Sequence, residues 1–364
     1  MTEDAGMHTA DGRPVIGIVG RDVPALLVAG AGAQPFRIPP ADLRTGDTGL
    51  DDAYAVMGRA VDRAAAAVLA AVLSGELDHL SGILISHDSE GSLRLFYTLQ
   101  ELHRRGRTAV PVHLVDQVHV ARESTVRFNT GQLSAMWDVV SDWTSTSITS
   151  ESLESSRAEL AELRVVLEQL RMDRHSGRVS GVAALRGYRA AATVAPAEAI
   201  GLLQRDRHDR PEHDDVRIPM FLTGSAPLGD DLYLAIEEAG MLIVGEDHDW
   251  GDPILSDRLP ETIDPDRNAL LRELALARLN GAPASASSSM AARAHATRTA
   301  IEVSGARALL SVVRPHDEAP AWDWHHQSAQ AGVPGVMVRG DAADDPAQVV
   351  EAVASLRALV GAAS

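Results

Sequence analysis

Short apolar runs alternate along this chain with longer stretches whose apolar positions recur every three or four residues. Val15-Ile16-Gly17-Ile18-Val19 reads as a buried strand, apolar on both faces. Pro24 to Gly32 reads as a short helix closing on glycine, and Phe36-Arg37-Ile38-Pro39 as a second strand. Residues 51–75 read as one long alanine-rich helix that ends at Gly75. Gly82-Ile83-Leu84-Ile85 is the next strand, a helix runs on to about residue 105, and Pro111 to Val115 closes the series. Strands alternating with helices predict a parallel, doubly wound sheet.

From about 120 to 210 the period is helical throughout, and Ser147-Ile148-Thr149-Ser150-Glu151 offers a capping-box-like start for a helix through Leu170. Residues 208–215 (HDRPEHDD) read as a polar linker, and residues 1–12 as a loose tail. Alternation then resumes. Strands are predicted at 218–223, 241–244, 308–313 and 336–338, with helices at 229–239, 264–279, 290–303, 321–331 and 346–360. The expected fold class is α/β: two doubly wound parallel-sheet domains with a helical segment between them. The expected boundaries are 1–120 for an N-terminal α/β domain, 121–215 for the helical segment and linker, and 216–364 for a C-terminal α/β domain.

Open parallel sheets bind ligands outside the carboxyl ends of their strands, so the residues following each strand are the first place to look for chemistry. Gly82–Ile85 is followed by Ser86-His87-Asp88, and Ile218–Thr223 by Gly224-Ser225. Met241–Val244 is followed by Gly245-Glu246-Asp247-His248-Asp249, and Ala308–Val313 by Arg314-Pro315-His316-Asp317. Three of these four strand ends set histidine beside aspartate. The Gly224-Ser225-Ala226-Pro227-Leu228-Gly229 turn precedes a helix, where backbone N–H groups can cradle a phosphate or carboxylate. Ser86, Gly224, Ser225, Arg314 and the strand arginine Arg37 are the candidate substrate-binding residues. His325-His326 lie about 100° apart on a predicted helix and read as surface.

Composition removes more chemistry than it adds. The 364 residues include no cysteine and no lysine; all 33 basic side chains other than histidine are arginine. A thiol nucleophile, a disulfide, a Schiff base and a PLP anchor are therefore all excluded. The net charge of −18 makes nucleic acid and anionic membranes poor partners. No apolar run of about 18 residues occurs, and the opening MTEDAGMHTADG has neither a basic region nor an apolar stretch. A cytoplasmic location is the expectation.

The ordered set of segments resembles the 2-hydroxyacyl-CoA dehydratase and benzoyl-CoA reductase family, in its non-activator subunits. Val15-Ile16-Gly17, Val23-Pro24 and Ala29 to Ile38 are similar to its opening strand, helix and P-x-R strand. Leu77 to Leu80 with the following GILISHD is similar to the segment carrying its first cluster cysteine. Trp143 to Leu153 is similar to its helical middle. IPMFLTGSAPLGDDLYLAIEEAGMLIVGEDHDWGDP, the most specific match, is similar to its G-S-P turn and second cysteine loop. RPHDEAPAWDWHHQSAQAGVPGVMVRGD is similar to its third cysteine loop and last strand.

The resemblance implies a two-domain subunit, usually in a heterodimer, holding an iron–sulfur cluster through cysteines. A separate ATP-using activator would inject one electron, and the cluster would help remove water from a 2-hydroxyacyl-CoA or reduce an aromatic acyl-CoA. In this chain the three cysteine positions fall on His87, Asp249 (with His248 adjacent) and His316. A fourth, near Pro283, falls on Ala284-Ser285-Ala286-Ser287. A Cys-ligated 4Fe-4S cluster is not available to it.

Three functions remain open. The first is a subunit handling an acyl-CoA or related acyl substrate beside a cysteine-bearing homologous partner in a heterodimer. The second is an independent lyase-type metal enzyme, alone or as a homodimer. There His87, Asp249, His316 and His248 would be ligands of a mononuclear iron or zinc, and Asp88, Glu246 and Asp317 the candidate general acids or bases. The third is a non-catalytic protein that binds a small molecule or acyl group.

Overall fold

A computed structural model describes residues 12–40, 47–208, 217–256 and 258–363. The expected tail (residues 1–11) and nearly all of the expected linker (209–215) lie outside the described residues. The chain separates into two compact units. One comprises Met1–Glu162, Ala192–Pro196 and Asp257–Asn280; the other comprises Leu163–Ala191, Ala197–Ser256 and Gly281–Ser364.

The first unit is built on a parallel sheet of β1 (Val15–Val19), β2 (Gln34–Arg37), β3 (Gly82–Ser86) and β4 (Val112–Val115), in the order β2-β1-β3-β4. Ile18 pairs with Arg37 on one side of β1 and with Leu84 on the other. Alternating side chains serve two cores, because both faces are covered by helices. Val15, Ile83 and Ile85 pack with α2 (Asp47–Met57), α3 (Arg63–Ser74) and α4 (Glu90–Arg104). Ile16, Ile18 and Leu84 pack with α1 (Ala25–Gly30), α5 (Glu123–Thr144), the start of α6 (Ser150–His175) and α10 (Arg267–Leu279).

The long helix expected over 51–75 is two helices, α2 and α3. Gly58 turns the chain at a φ of 84°, and the Asp62 side chain accepts the Ala64 N–H (2.8 Å) to start α3 afresh. The alanine-rich pattern continues across this break, and so conceals it. The capping start of α6 is observed: Thr149 and Ser152 exchange side-chain-to-backbone hydrogen bonds at 3.1 and 3.0 Å.

The second unit repeats the plan. Its sheet is β5 (Ile218–Gly224), β6 (Met241–Glu246), β7 (Leu309–Val313) and β8 (Gly335–Arg339), all parallel, in the order β6-β5-β7-β8. Phe221, Leu242, Val244 and Leu309 form a core with Ile301 of α11 (Met290–Ser304) and Ala331, just past α12 (Ala319–Gln330). The remaining helices are α7 (Gly181–Thr193), α8 (Pro196–His208), α9 (Asp231–Glu238) and the closing α13 (Pro346–Ala363). The two sheets thus share one strand order, and each reverses direction between its first and third strands. No described helix is long and apolar enough to cross a membrane.

Candidate functional site

Each sheet has its topological switch point where ligand crevices form in doubly wound folds: beyond β1 and β3 in the first unit, beyond β5 and β7 in the second. In both units a glycine and a serine stitch the two strand ends together. Gly20, after β1, has a φ of 88°, and a Cβ there would lie 2.3 Å from an Asp88 carboxylate oxygen and 2.5 Å from the Ser86 Cβ. That proximity lets the Asp22 N–H donate to Ser86 Oγ (2.7 Å) and the Arg21 N–H donate to Asp88 (3.1 Å). Gly224, ending β5, has a φ of 116°, and a Cβ there would meet the Val312 carbonyl oxygen at 2.2 Å. The Ser225 N–H donates to Val312 O (2.8 Å), and Ser225 Oγ accepts the Arg314 N–H (3.0 Å).

Most of the sequence-predicted residues at these ends are already bonded. Asp88 also accepts from Ser92 Oγ (2.9 Å), so its carboxylate joins β1 to the first turn of α4. His87 Nδ1 lies 2.9 Å from Asp116 Oδ1, both groups about one-third exposed. Arg37 stands on β2, next to β1. In the second unit Arg314 is buried, Asp317 is half-buried, and His316 is exposed at a φ of 63°, which costs a non-glycine residue strain. Asp249 is half-buried on the loop after β6.

Glu246 and His248 belong to a buried network that the pattern of strand ends does not reveal. Arg174, on the last turn of α6 and 0 % exposed, bonds Glu246 and holds Asp252 at 2.6 Å. Tyr188 donates to Asp252 (2.6 Å). The Trp250 N–H donates to His248 Nδ1 (3.2 Å), which makes Nε2 the protonated nitrogen of the neutral ring. Nε2–H therefore donates to Tyr233 Oη (2.6 Å), whose own proton goes to Glu246 (3.1 Å). Burial holds the His248 pKa down at about 3, so the ring stays neutral. Burial pushes the Glu246 carboxyl up, and the Arg174 charge opposes that push.

A second buried arginine, Arg293 on α11, makes an ion pair with Asp247 (3.2 Å) and another with Asp323 (3.4 Å). In the first unit Asp22 is 1 % exposed between Arg278 Nε (2.5 Å) and His119 Nε2 (2.8 Å). Burial alone would raise its pKa, but those two partners outweigh it and bring the value to about 2. The three arginines were missed because strand ends were searched and helices were not. The signal was there for Arg174: it continues the buried stripe Leu163, Leu167, Leu170 at helical spacing. Asp22 lies three residues beyond β1, at the switch point of the first sheet.

The match that decides the family is a profile described as 2-hydroxyglutaryl-CoA dehydratase, D-component, which covers residues 22–354. The chain belongs to this family. No curated protein matches it. The match takes in β2 to β4 of the first sheet and all four strands of the second, so the resemblance read from the ordered segments holds across nearly the whole chain. A D-component is by its description one part of a dehydratase, and this chain is a dehydratase-like subunit of that type.

The cluster implied by the resemblance does not fit the residues present. Iron–sulfur clusters are held chiefly by thiolates, and the chain has none. Among the described residues no group of three or more His, Asp or Glu is placed to hold a metal ion. His248 has both ring nitrogens engaged. A groove of about 570 Å³ runs between α11 and the end of α12, lined by residues such as Arg298, Glu302 and Val333, and includes none of the strand-end residues.

Proposed function

We propose that this chain is the cluster-free subunit of a 2-hydroxyacyl-CoA dehydratase-like enzyme. It binds part of an acyl-CoA substrate while a cysteine-bearing homologous subunit carries the redox centre. One observation carries the reading: a family match over residues 22–354 in a chain without a single thiol donor. The strand-end frames at Gly20–Ser86 and Gly224–Ser225 are tightly bonded, which supports a binding role for these strand ends. With no lysine present, the phosphates of CoA would meet arginines and backbone N–H groups, of which Arg314 and the Gly224-Ser225 turn are the nearest to a switch point. The net reaction would be loss of water from a 2-hydroxyacyl-CoA to give the 2-enoyl-CoA.

The test is reconstitution without oxygen. The chain is purified alone and then mixed with a cysteine-bearing subunit of the same family, the activator and ATP. Alone it should be colourless and inactive; mixed, it should form a one-to-one complex on light scattering and release enoyl-CoA. Turnover by the chain alone would overturn the proposal.

A second reading, a metal-assisted lyase, draws support from His87. Its Nδ1 is oriented by Asp116, the arrangement that commonly sets a ligating histidine so that Nε2 faces the metal. Elemental analysis of the parent beside a His87→Ala variant separates the two. About one equivalent of iron or zinc, lost in the variant, would favour the metal enzyme; no metal in either favours the cluster-free subunit.

A further inference from the structure

At the carboxyl end of the second sheet a single buried side chain bridges β5, the loop after β6, the 281–289 segment and α12. Arg293 is 2 % exposed. Its Nη1 donates to the Pro283 carbonyl oxygen (3.0 Å), in the 281–289 segment between α10 and α11. Nη2 lies 3.2 Å from Asp247 Oδ1, just beyond β6, and 3.4 Å from Thr223 Oγ1, near the end of β5. Nε donates to Asp323 (3.4 Å) on α12, the helix that follows the Arg314–Asp317 loop. Ser285, from the first of these loops, also bonds Asp323. Gln327 closes the ring, donating to Thr297 (2.8 Å) and Thr223 (3.1 Å).

We infer that Arg293 is the internal cross-link of this site: its planar fork takes the place that the missing cluster leaves, and assembles the strand-end loops of the second unit with no metal at all. The geometry suits a guanidinium and nothing smaller. Five N–H donors in a fixed plane can meet a carbonyl, two carboxylates and a hydroxyl at once, whereas an ammonium is a point charge on a flexible stem. The two carboxylates, Asp247 and Asp323, supply the counter-charge that a buried arginine requires. The loops concerned carry two of the four cysteine positions that the resemblance implies, and a third lies on the loop that leads into α12; the disagreement between that donor set and the residues present is thereby resolved within the chain. This inference stands whether or not a partner subunit holds a cluster.

Amide hydrogen exchange on the full-length chain tests it. In the wild type, exchange over 247–256, 281–289 and 314–323 should be equally slow in chelator and after anaerobic addition of ferrous iron with sulfide. Arg293→Met should speed exchange in all three peptides together, by tenfold or more, while peptides over β1 and β3 of the first unit stay unchanged. Arg293→Lys, which keeps the charge and is the safer variant to fold, should leave 281–289 fast, because a point charge cannot hold Pro283 and both aspartates. Faster exchange confined to α11 in the variants would overturn the inference. So would iron and sulfide slowing the wild-type loops, since a metal would then be completing the site; that result is readable even if Arg293→Met fails to fold.

Discussion

Arg174 shows how much a single buried charge constrains this chain. It enters the interior on the apolar stripe of α6 and meets Glu246 and Asp252 there. Removing one partner of a buried ion pair leaves the others uncompensated, at a cost of about 3–5 kcal/mol. Arg174→Met should therefore lower the urea-unfolding free energy by about that amount. A loss under about 1 kcal/mol would mean that the network is not buried as described. His248 gives a signature of the opposite kind. Its folded pKa of about 3 lies below the unfolded value of about 6.5. Between those values the unfolded chain binds a proton that the folded chain refuses. Stability should thus fall as pH drops from about 6.5 toward 3, by up to about 1.4 kcal/mol per pH unit. His248→Gln keeps a donor toward Tyr233 and should flatten that slope; parallel pH–stability curves for the two proteins would refute the assignment. Asp22 adds an acid-side term at lower pH. Its folded pKa of about 2 lies below the ordinary carboxylate value, so its contribution is present above about pH 4 and lost as pH falls through about 2. The gap in stability between wild type and Asp22→Asn, about 3 kcal/mol at neutral pH, should narrow over that window.

At the scale of elements, the strand ends depend on two glycines that no other residue can replace. Gly20→Ala would force a side chain onto Ser86 and Asp88 at a φ of 88°, and Gly224→Ala would press on the Val312 carbonyl at 116°. Each combines backbone strain of about 1–3 kcal/mol with a steric clash. Both should fall well below the wild type in thermal melting, whereas Gly131→Ala, on α5 with open space around it, should match or exceed it. The elements themselves were legible: short apolar runs marked all eight strands, and the switch from strand to helical period marked the stretch that holds α5 to α8. The break between α2 and α3 was not, because alanine carries the same signal on either side of Gly58. Nor were the buried networks. An arginine in a helix reads as surface unless its register with Leu163, Leu167 and Leu170 is counted, and the pairing of Arg293 with Asp247 and Asp323 is set by tertiary folding. The candidate site was legible as a set of strand ends, but not as a set of bonds.

At the scale of the whole molecule, the absence of lysine and cysteine has a chemical consequence if, as proposed, the chain binds an acyl thioester. Lysine amines and cysteine thiolates are the side chains that such thioesters acylate without an enzyme's help, because each offers an unprotonated nucleophile in equilibrium with its charged or protonated form. Arginine, with a pKa above about 12, offers none near neutral pH. All 33 of the chain's strong cations are of that inert kind. On the proposed function, the positive charge that would meet CoA phosphates comes from groups that the thioester cannot modify. Prolonged incubation with a reactive acyl-CoA at mildly alkaline pH should leave intact mass unchanged except for one adduct on the α-amino group. A variant with Arg37, Arg314 and three exposed arginines changed to lysine should gain further adducts under the same conditions. Stable multiple acylation of the wild type, at serine, threonine or tyrosine, would show instead that the chain carries an activated nucleophile, and would shift the assignment from a binding subunit toward an acyl-transferring enzyme.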